Sequence, residues 1–197
     1  MFPMNMNAGA GDRLKKNDRM RPDMKFNELV ERRQSTRKFS EQPVDREQII
    51  TCIEAARLAP SAENVQPWRF IVLDNRQSIE QFGNEAFSGV YRFSRWAMHA
   101  PVIIAIAVEL DLLANRIGKE IQGTQYYLID VGIAGEHIVL QAEELGLGSC
   151  WIGWFHARKG AKALGLLRGM KLAALIALGH PAEPRSKKKE KKPLEKI

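Results

Sequence analysis

The chain holds two short polar segments whose residue types suit a phosphorylated aromatic ligand. The first, residues 33–37, places the side chains of Arg33, Ser35 and Arg37 within five residues. Two guanidinium groups and a hydroxyl supply enough charge and enough donors to bind a phosphate dianion. The second, residues 60–68, combines prolines with hydroxyl and amide side chains, a composition typical of irregular backbone. The pair predicts a phosphorylated flat heterocycle as the ligand, rather than a simple anion.

Each of these side chains also has an ordinary structural role open to it. Arg33 and Arg37 could be surface charges, as most arginines are. Asn64 and Gln66 could be turn residues that hydrogen-bond the local backbone. The serines of both segments lie outside any nucleophile-elbow sequence, which disfavours hydrolase chemistry. The residues alone leave open whether the two amide side chains bind a ligand or organise their own turn.

Length and composition are those of an ordinary globular domain. The chain has 197 residues, 45% of them hydrophobic and 27% charged, so it can bury one core of normal size. It has no apolar run long enough to cross a bilayer and no N-terminal stretch that suits a secretory signal, so no membrane partner is expected. Cys52 and Cys150 lie far apart in apolar surroundings, which favours reduced core thiols and a cytoplasmic protein. The four histidines show no metal-ligand spacing, so no metal is expected.

The net charge of +7 is concentrated at the two ends of the chain. Residues 1–25 carry six basic and three acidic side chains, and residues 185–197 carry seven basic and two acidic ones. Residues 26–184 are close to neutral, with 17 basic and 18 acidic side chains. We interpret 1–25 as a flexible basic arm, 26–184 as the folded ligand-binding domain and 185–197 as a basic tail. Because no aromatic residue alternates with the tail lysines, a nucleic-acid partner is not expected.

Helix and strand signals flank both polar segments. A helix is predicted over 26–33, with the first segment at its C-terminal end. A second helix begins at Asp45, with a capping-box glutamine three residues later, and stops before Pro60 because the residue preceding proline avoids helical backbone. The second segment is therefore a loop that follows a helix. Alternating β-rich residues predict a strand over 68–73, and the apolar run 101–108 predicts a strand buried on both faces.

The second half of the domain is dominated by one long helical pattern. It covers 124–145, and Gly146 follows it as a helix-ending residue. Strands over 149–155 and 172–178 flank a short helix around 161–167. This mixture of helices and strands predicts an α+β or three-layer fold. The long helix carries so little charge that we expect it to be buried on several sides, either against a second copy of the chain or inside a monomeric core.

The glycines and tryptophans of the second half have structural interpretations. The glycine pair within 146–148 suggests a dinucleotide fingerprint, but a helix precedes it and a strand follows, the reverse of a Rossmann unit. A Rossmann domain is therefore excluded. Gly153 can still bring strand backbone close to a ligand ring. Trp68, Trp151 and Trp154 are interpreted as core residues.

Four motifs in this order resemble those of the nitroreductase family of flavin mononucleotide (FMN)-dependent oxidoreductases. They are Arg-x-Ser-x-Arg at 33–37, Ala-Pro-Ser-Ala-x-Asn-x-Gln-Pro-Trp at 59–68, Gly-Leu-Gly-Ser-x-Trp-Ile-Gly at 146–153 and Gly-His-Pro-Ala-Glu-Pro at 179–184. The resemblance covers about residues 26–195. Four ordered motifs are far more specific than any one of them alone.

The resemblance implies a three-layer α/β/α fold with a central mixed, mostly antiparallel sheet. It also implies an intertwined homodimer that holds two FMN molecules at the subunit interface. By this analogy Arg33 and Ser35 hold the phosphate, Arg37 lies near the pyrimidine edge of the flavin, and the backbone of 152–153 lies near flavin N5. The implied cofactor-binding residues are Arg33, Gln34, Ser35, Arg37, Pro60, Ser61, Ala62, Asn64, Gln66, Trp151, Ile152, Gly153, Lys189 and Lys191.

Three parts of the chain need separate comment within this resemblance. The family pattern has a basic residue near the C-terminus that reaches the phosphate, in a tail that extends to the partner subunit. Lys191 fits that place best and Lys189 next. The basic arm 1–25 is not part of the common pattern. The segment 109–123, where family members vary and cover the flavin, is short here, which implies an open or differently covered site.

The resemblance further implies an enzyme that transfers hydride from NADH or NADPH, through flavin N5, to an electron-poor acceptor such as a nitroaromatic or a quinone. No side-chain nucleophile is required, and Arg37 is expected to stabilise the reduced flavin. Two alternatives stay open. One is a flavin-binding storage or sensor protein without turnover, and the other is a relative that uses flavin for dehalogenation or flavin fragmentation.

Overall fold

The computed structural model describes residues 24–110, 123–184 and 190–197. Lys189, most of the N-terminal arm and most of segment 109–123 therefore lie outside the described residues. The α-helices are α1 (Phe26–Arg32), α2 (Arg46–Arg57), α3 (Arg76–Ala86), α4 (Tyr126–Glu144) and α5 (Ala157–Ala163). The strands are β1 (Trp68–Leu73), β2 (Val102–Glu109), β3 (Gly148–Ile152) and β4 (Met170–Gly179), and 3-10 segments cover Ala62–Asn64, Gly89–His99 and Leu194–Lys196. No helix within these ranges combines the length and apolarity needed to span a membrane.

The four strands form one sheet in the order β1-β2-β4-β3, and every neighbouring pair is antiparallel. A register shift between Ile106 and Ala107 interrupts the pairing of β2 with β4. A parallel bridge between Ser35 and Ser149 then adds the chain after α1 to β3. The sheet is thus mixed but mostly antiparallel, which confirms the prediction.

Helices cover both faces of this sheet. Val102, Ile104 and Ile106 of β2 pack in one core with α2 and α4, whereas Ile103 and Ala105 pack in a second core with α3 and α5. All five side chains are at most 1% exposed. Because both faces of β2 are covered, its sequence is apolar without alternation. The α+β, three-layer α/β/α architecture is confirmed.

Some element boundaries and two whole elements differ from the sequence predictions. β3 ends at Ile152 rather than at residue 155, and α5 begins four residues earlier than the predicted helix. Helix α3 and the 3-10 segment Gly89–His99 were not predicted. The sequence did hold a signal for α3, because asparagine is a preferred N-cap residue and Asn75 directly precedes the helix. In the structure the Asn75 side chain accepts a hydrogen bond from the Ser78 N–H at 2.9 Å.

The two cysteines are core thiols, as predicted. Cys52 and Cys150 are both free and buried. Burial raises the pKa of the Cys52 thiol to about 12, because the thiolate would lose its hydration there. Cys52 is therefore a packing residue and not a nucleophile.

Candidate functional site

The first polar segment, residues 33–37, lies against β3. Ser35 forms the parallel bridge with Ser149, and the Thr36 N–H donates to the Ser149 carbonyl oxygen at 2.9 Å. This close approach depends on Gly148, because a Cβ there would lie 2.6 Å from the Thr36 hydroxyl oxygen. The backbone of the segment is therefore fixed on the strand that leads to Gly153.

The side chain of Arg37 rests on an aromatic ring that the sequence analysis missed. Its guanidinium carbon lies 5.8 Å from the centre of the Trp96 ring, which is cation–π geometry. Trp96 is half-buried and packs against the second core, so it is a fixed support. The three-residue spacing of Val90, Phe93 and Trp96 is the signal that could have revealed this 3-10 segment.

The end of β3 presents open backbone at Gly153. Ile152 is buried, while Gly153 is exposed, and a Cβ on Gly153 would meet no atom within 4 Å. The chain itself therefore imposes no need for glycine at this position, and the space beside it can take a flat ring. Trp151 fills the notch at Gly135, where a Cβ would overlap the indole ring. The notch at Gly135 is thus filled by the chain's own side chain.

The prediction that Trp154 is a core residue is wrong. Its side chain is 57% exposed, whereas that of Trp68 is 5% exposed, as predicted. The reason is the early end of β3, which places residue 154 beyond the sheet and outside the helical layers. The apolar run 149–155 does not show in the sequence where the strand ends. It therefore could not reveal that Trp154 is exposed.

The second polar segment is a tight loop between α2 and β1. Three of its residues, Glu63, Asn64 and Gln66, have positive φ angles of 50°, 56° and 48°. Non-glycine residues adopt this region at an energetic cost that surrounding contacts must offset. The Gln66 N–H donates to the Ser61 hydroxyl oxygen at 3.0 Å, and the Gln66 side-chain amide donates to the Asn64 carbonyl oxygen at 3.1 Å. The amide side chain of Gln66 therefore organises its own turn, one of the two roles left open by the sequence.

Asp130 anchors this loop to α4. Its Oδ1 accepts a hydrogen bond from the Ala62 N–H at 3.0 Å, and its side chain is only 2% exposed. Its Oδ2 is buried and has no hydrogen-bond partner among the described residues. Burial raises the pKa of the Asp130 carboxyl group, an effect that the Ala62 N–H partly opposes. Asp130 was not predicted as a site residue, although a carboxylate within a long apolar helix is a visible signal in the sequence.

The raised pKa of Asp130 predicts a specific dependence of stability on pH. In an unfolded chain the carboxyl group titrates near pH 3.9. Because the pKa is higher in the folded protein, folding favours the protonated carboxyl group. This contribution to the free energy of unfolding is fully present below about pH 3.9 and is lost as the pH rises through the folded pKa. Asp130→Asn does not titrate, so its free energy of unfolding should rise relative to wild type from about pH 4 upward. Urea unfolding of both proteins at a series of pH values measures this difference; a pH-independent difference would contradict the assignment.

The two polar segments are held near opposite ends of α4. Arg32, beside the first segment, lies 3.6 Å (Nε to Oε1) from Glu143 near the C-terminal end of the helix. Ala62 of the second segment bonds Asp130 near the N-terminal end. At 1.5 Å per residue, these 13 residues separate the two anchor points by about 20 Å along the helix axis. The Arg32–Glu143 ion pair and the Ala62–Asp130 hydrogen bond thus place the two segments near opposite ends of α4.

The other predicted site residues are placed as follows. Gln34 is half-buried in the first segment. In the second segment Ser61 and Ala62 are half-buried, and Pro60 next to them is exposed. Lys191 is exposed in the C-terminal stretch 190–197. Lys189 falls outside the residues that the structure describes.

One side of α4 carries an apolar groove with a volume of about 740 Å³, shared with α1. Leu128 and Ile129 are 49% and 52% exposed on it, and Phe26 of α1 is 67% exposed. A Cβ on Gly132, also in the groove, would meet no atom within 4 Å. Within one chain α4 is therefore not buried on all the sides that its composition predicted.

Comparison with known proteins identifies the fold. A family model described as the nitroreductase family matches residues 30–180. A relative from Archaeoglobus fulgidus, provisionally named an NADH dehydrogenase/NAD(P)H nitroreductase, is 30% identical over 159 residues, which are 79% of this chain and 84% of the relative. The crystal structure of a nitroreductase family protein from Clostridium novyi NT matches with a TM-score of 0.72 and 31% identity, covering 81% of this chain and 87% of that one. A Clostridium difficile protein named an FMN-dependent nitroreductase matches with a TM-score of 0.65 and 26% identity over 80% of this chain and 88% of its own. This chain therefore belongs to the nitroreductase family.

Proposed function

We propose that the protein is an FMN-dependent oxidoreductase that acts as a homodimer, with NADH or NADPH as electron donor and an electron-poor nitroaromatic or quinone as acceptor. The observation that carries this proposal is the fixed position of residues 33–37 on β3, the strand that leads to the open backbone of Gly153. Arg33 and Ser35 would hold FMN, which would supply the hydride-transfer chemistry between the nicotinamide and the acceptor. The protein's own task is to bind, orient and electrostatically tune that group.

The residues present fit FMN in their chemistry. Arg33 and Ser35 offer a guanidinium and a hydroxyl for the phosphate dianion, and Lys191 can add a point charge from the C-terminal stretch. The exposed backbone at Gly153 leaves room for the flat ring. The strained loop 60–66 supplies backbone and hydroxyl groups that are held rigid before binding.

A second copy of the chain explains how both polar segments serve one ligand. If two α4 helices pack antiparallel across a two-fold axis, the N-terminal end of one lies beside the C-terminal end of the other. The partner's loop 60–66 then approaches residues 33–37, although about 20 Å separates their anchor points in one chain. The apolar groove with Leu128, Ile129 and the open side of Gly132 is the surface that such packing would cover.

Arg37 has the role of stabilising negative charge that develops on the pyrimidine side of the ring. Its guanidinium is fixed over Trp96, so its charge is directed without further ordering of the side chain. Arg37→Ala should slow flavin reduction by NADH by about tenfold or more and weaken FMN retention less. Stopped-flow reduction measures the rate, and FMN titration measures retention. Arg92→Ala is the matched control, because the Arg92 guanidinium carbon lies 5.8 Å from the centre of the Phe93 ring, a similar pair on the 3-10 segment that carries Trp96. An unchanged rate in Arg37→Ala would remove the proposed role.

Steady-state oxidation of NADH and NADPH with and without a quinone tests the function itself. The proposal predicts a rate that depends on the quinone concentration and follows ping-pong kinetics. A protein that retains FMN but shows no acceptor-dependent rate would instead be a flavin-binding or flavin-sensing protein. A comparison of nitroaromatic with halogenated aromatic acceptors separates the reductase from a dehalogenase.

A further inference from the structure

Trp154 is an exposed tryptophan whose position is nevertheless fixed. Its side chain is 57% exposed. Its indole Nε1–H donates to the Val90 carbonyl oxygen at 3.1 Å, and its own carbonyl oxygen accepts a hydrogen bond from the buried hydroxyl of Ser94 at 2.7 Å. The Tyr91 ring lies 5.2 Å from the indole at an interplanar angle of 50°. Because the ring is ordered in advance, a ligand that stacks on it loses little affinity to side-chain ordering.

The backbone of Trp154 borders the place proposed for the flavin ring. Trp154 directly follows Gly153, and consecutive Cα atoms lie about 3.8 Å apart. The 3-10 segment Gly89–His99, which holds Trp154 through its hydrogen bonds, also carries the Trp96 ring that supports Arg37. The backbone of Gly153 and the guanidinium of Arg37 are the two features proposed to flank the flavin ring. The 3-10 segment that fixes the Trp154 indole therefore connects them.

A purely structural role does not explain this arrangement. A tryptophan that stabilises a core does so by burying its large apolar surface, and more than half of this side chain stays in contact with solvent. Its polar contacts engage the ring edge and the main chain. The observed contacts fix the ring and leave much of it available.

We propose that Trp154 is the stacking surface on which the oxidising substrate binds. The proposal rests on the proposed function and adds to it a residue that selects flat, electron-poor rings. An electron-rich indole face attracts an electron-poor ring in an offset-stacked arrangement, in addition to the apolar area that both bury. Stacking is tolerant of ring substituents, so Trp154 selects planarity and electron deficiency, not one particular compound.

Equilibrium dialysis of 4-nitrobenzamide against the oxidised FMN-loaded protein, without an electron donor, tests this proposal. Trp154→Ala should weaken binding about tenfold, whereas Trp154→Phe should stay within about threefold of wild type. Phe93→Ala is the matched control: this ring is 78% exposed on the same 3-10 segment, and its removal should leave binding unchanged. Cyclohexanecarboxamide, the saturated counterpart, should not distinguish Trp154→Ala from wild type.

Equal affinity of wild type and Trp154→Ala for 4-nitrobenzamide would overturn the proposal, as would an equal loss in Phe93→Ala. FMN content and melting temperature show whether each variant keeps its fold. Oxidation of NADH and of NADPH with ferricyanide by the wild type tests the proposed function separately, because ferricyanide offers no flat aromatic ring. Absence of a rate with both donors defeats the oxidoreductase assignment, whereas the dialysis result alone decides the role of Trp154.

Discussion

Ile129→Glu should convert the protein to a monomer that no longer retains FMN. Ile129 is 52% exposed in the apolar groove of α4, where the proposed two-fold contact would bury it. A carboxylate buried without a partner costs several kcal/mol, and a two-fold interface contains the change twice. Taking about 2 kcal/mol for each copy, the dimer dissociation constant should rise by about a thousandfold. FMN should be lost as well, because the two polar segments of one chain lie at opposite ends of α4.

Sedimentation or light scattering gives the mass of the variant, and flavin absorbance gives its FMN content. Leu167→Glu is the matched control, because Leu167 is 75% exposed and follows α5 on the opposite side of the sheet. It should remain dimeric and flavin-loaded. A dimeric, fully loaded Ile129→Glu protein would show that the groove is not the subunit interface.

Arg33→Ala should raise the FMN dissociation constant by about 10- to 100-fold. A hydrogen bond to a charged group contributes about 1.5–3 kcal/mol, and a guanidinium binds phosphate through two parallel bonds. Arg33→Lys keeps the charge but loses the second bond, so its affinity should be intermediate. Titration of the apoprotein with FMN, followed by fluorescence quenching, gives the three constants.

Lys38→Ala is the control for Arg33→Ala. Lys38 lies immediately after the same segment and carries the same charge, but its Nζ is 2.7 Å from a carboxylate oxygen of Glu183. Its loss should change FMN affinity by less than about threefold, because exposed ion pairs contribute little. Riboflavin, which lacks the phosphate, should bind wild type and Arg33→Ala equally. A difference between the two proteins for riboflavin would place Arg33 away from the phosphate.

Local signals made much of the fold predictable. The apolar run of β2, the helix start at Asp45 and the helix end at Gly146 each follow from backbone sterics or from burial on both faces, which act over a few residues. The Asp45 N–H indeed donates to the Gln48 side chain at 3.3 Å, and Gly146 has a φ of 80°. Such features depend on residues that lie close together in the sequence.

Features that depend on tertiary contacts were not predictable in the same way. Glu63 has a positive φ angle, although glutamate is not a residue type that predicts one. The loop is held by Asp130, which lies 68 positions from its partner Ala62 in the sequence. The exposure of Trp154 follows from where β3 ends, which composition does not set. The Arg-x-Ser-x-Arg segment was identified from the chemistry of its side chains. The support of Arg37 by Trp96 could not be predicted in this way, because the two residues are remote in the chain.

The most direct test of the proposed function is the flavin content and native mass of the purified protein after incubation with FMN. We expect a yellow dimer with one FMN bound per chain, because each site would combine residues 33–37 of one subunit with loop 60–66 of the other. A colourless monomer that does not take up added FMN would contradict it.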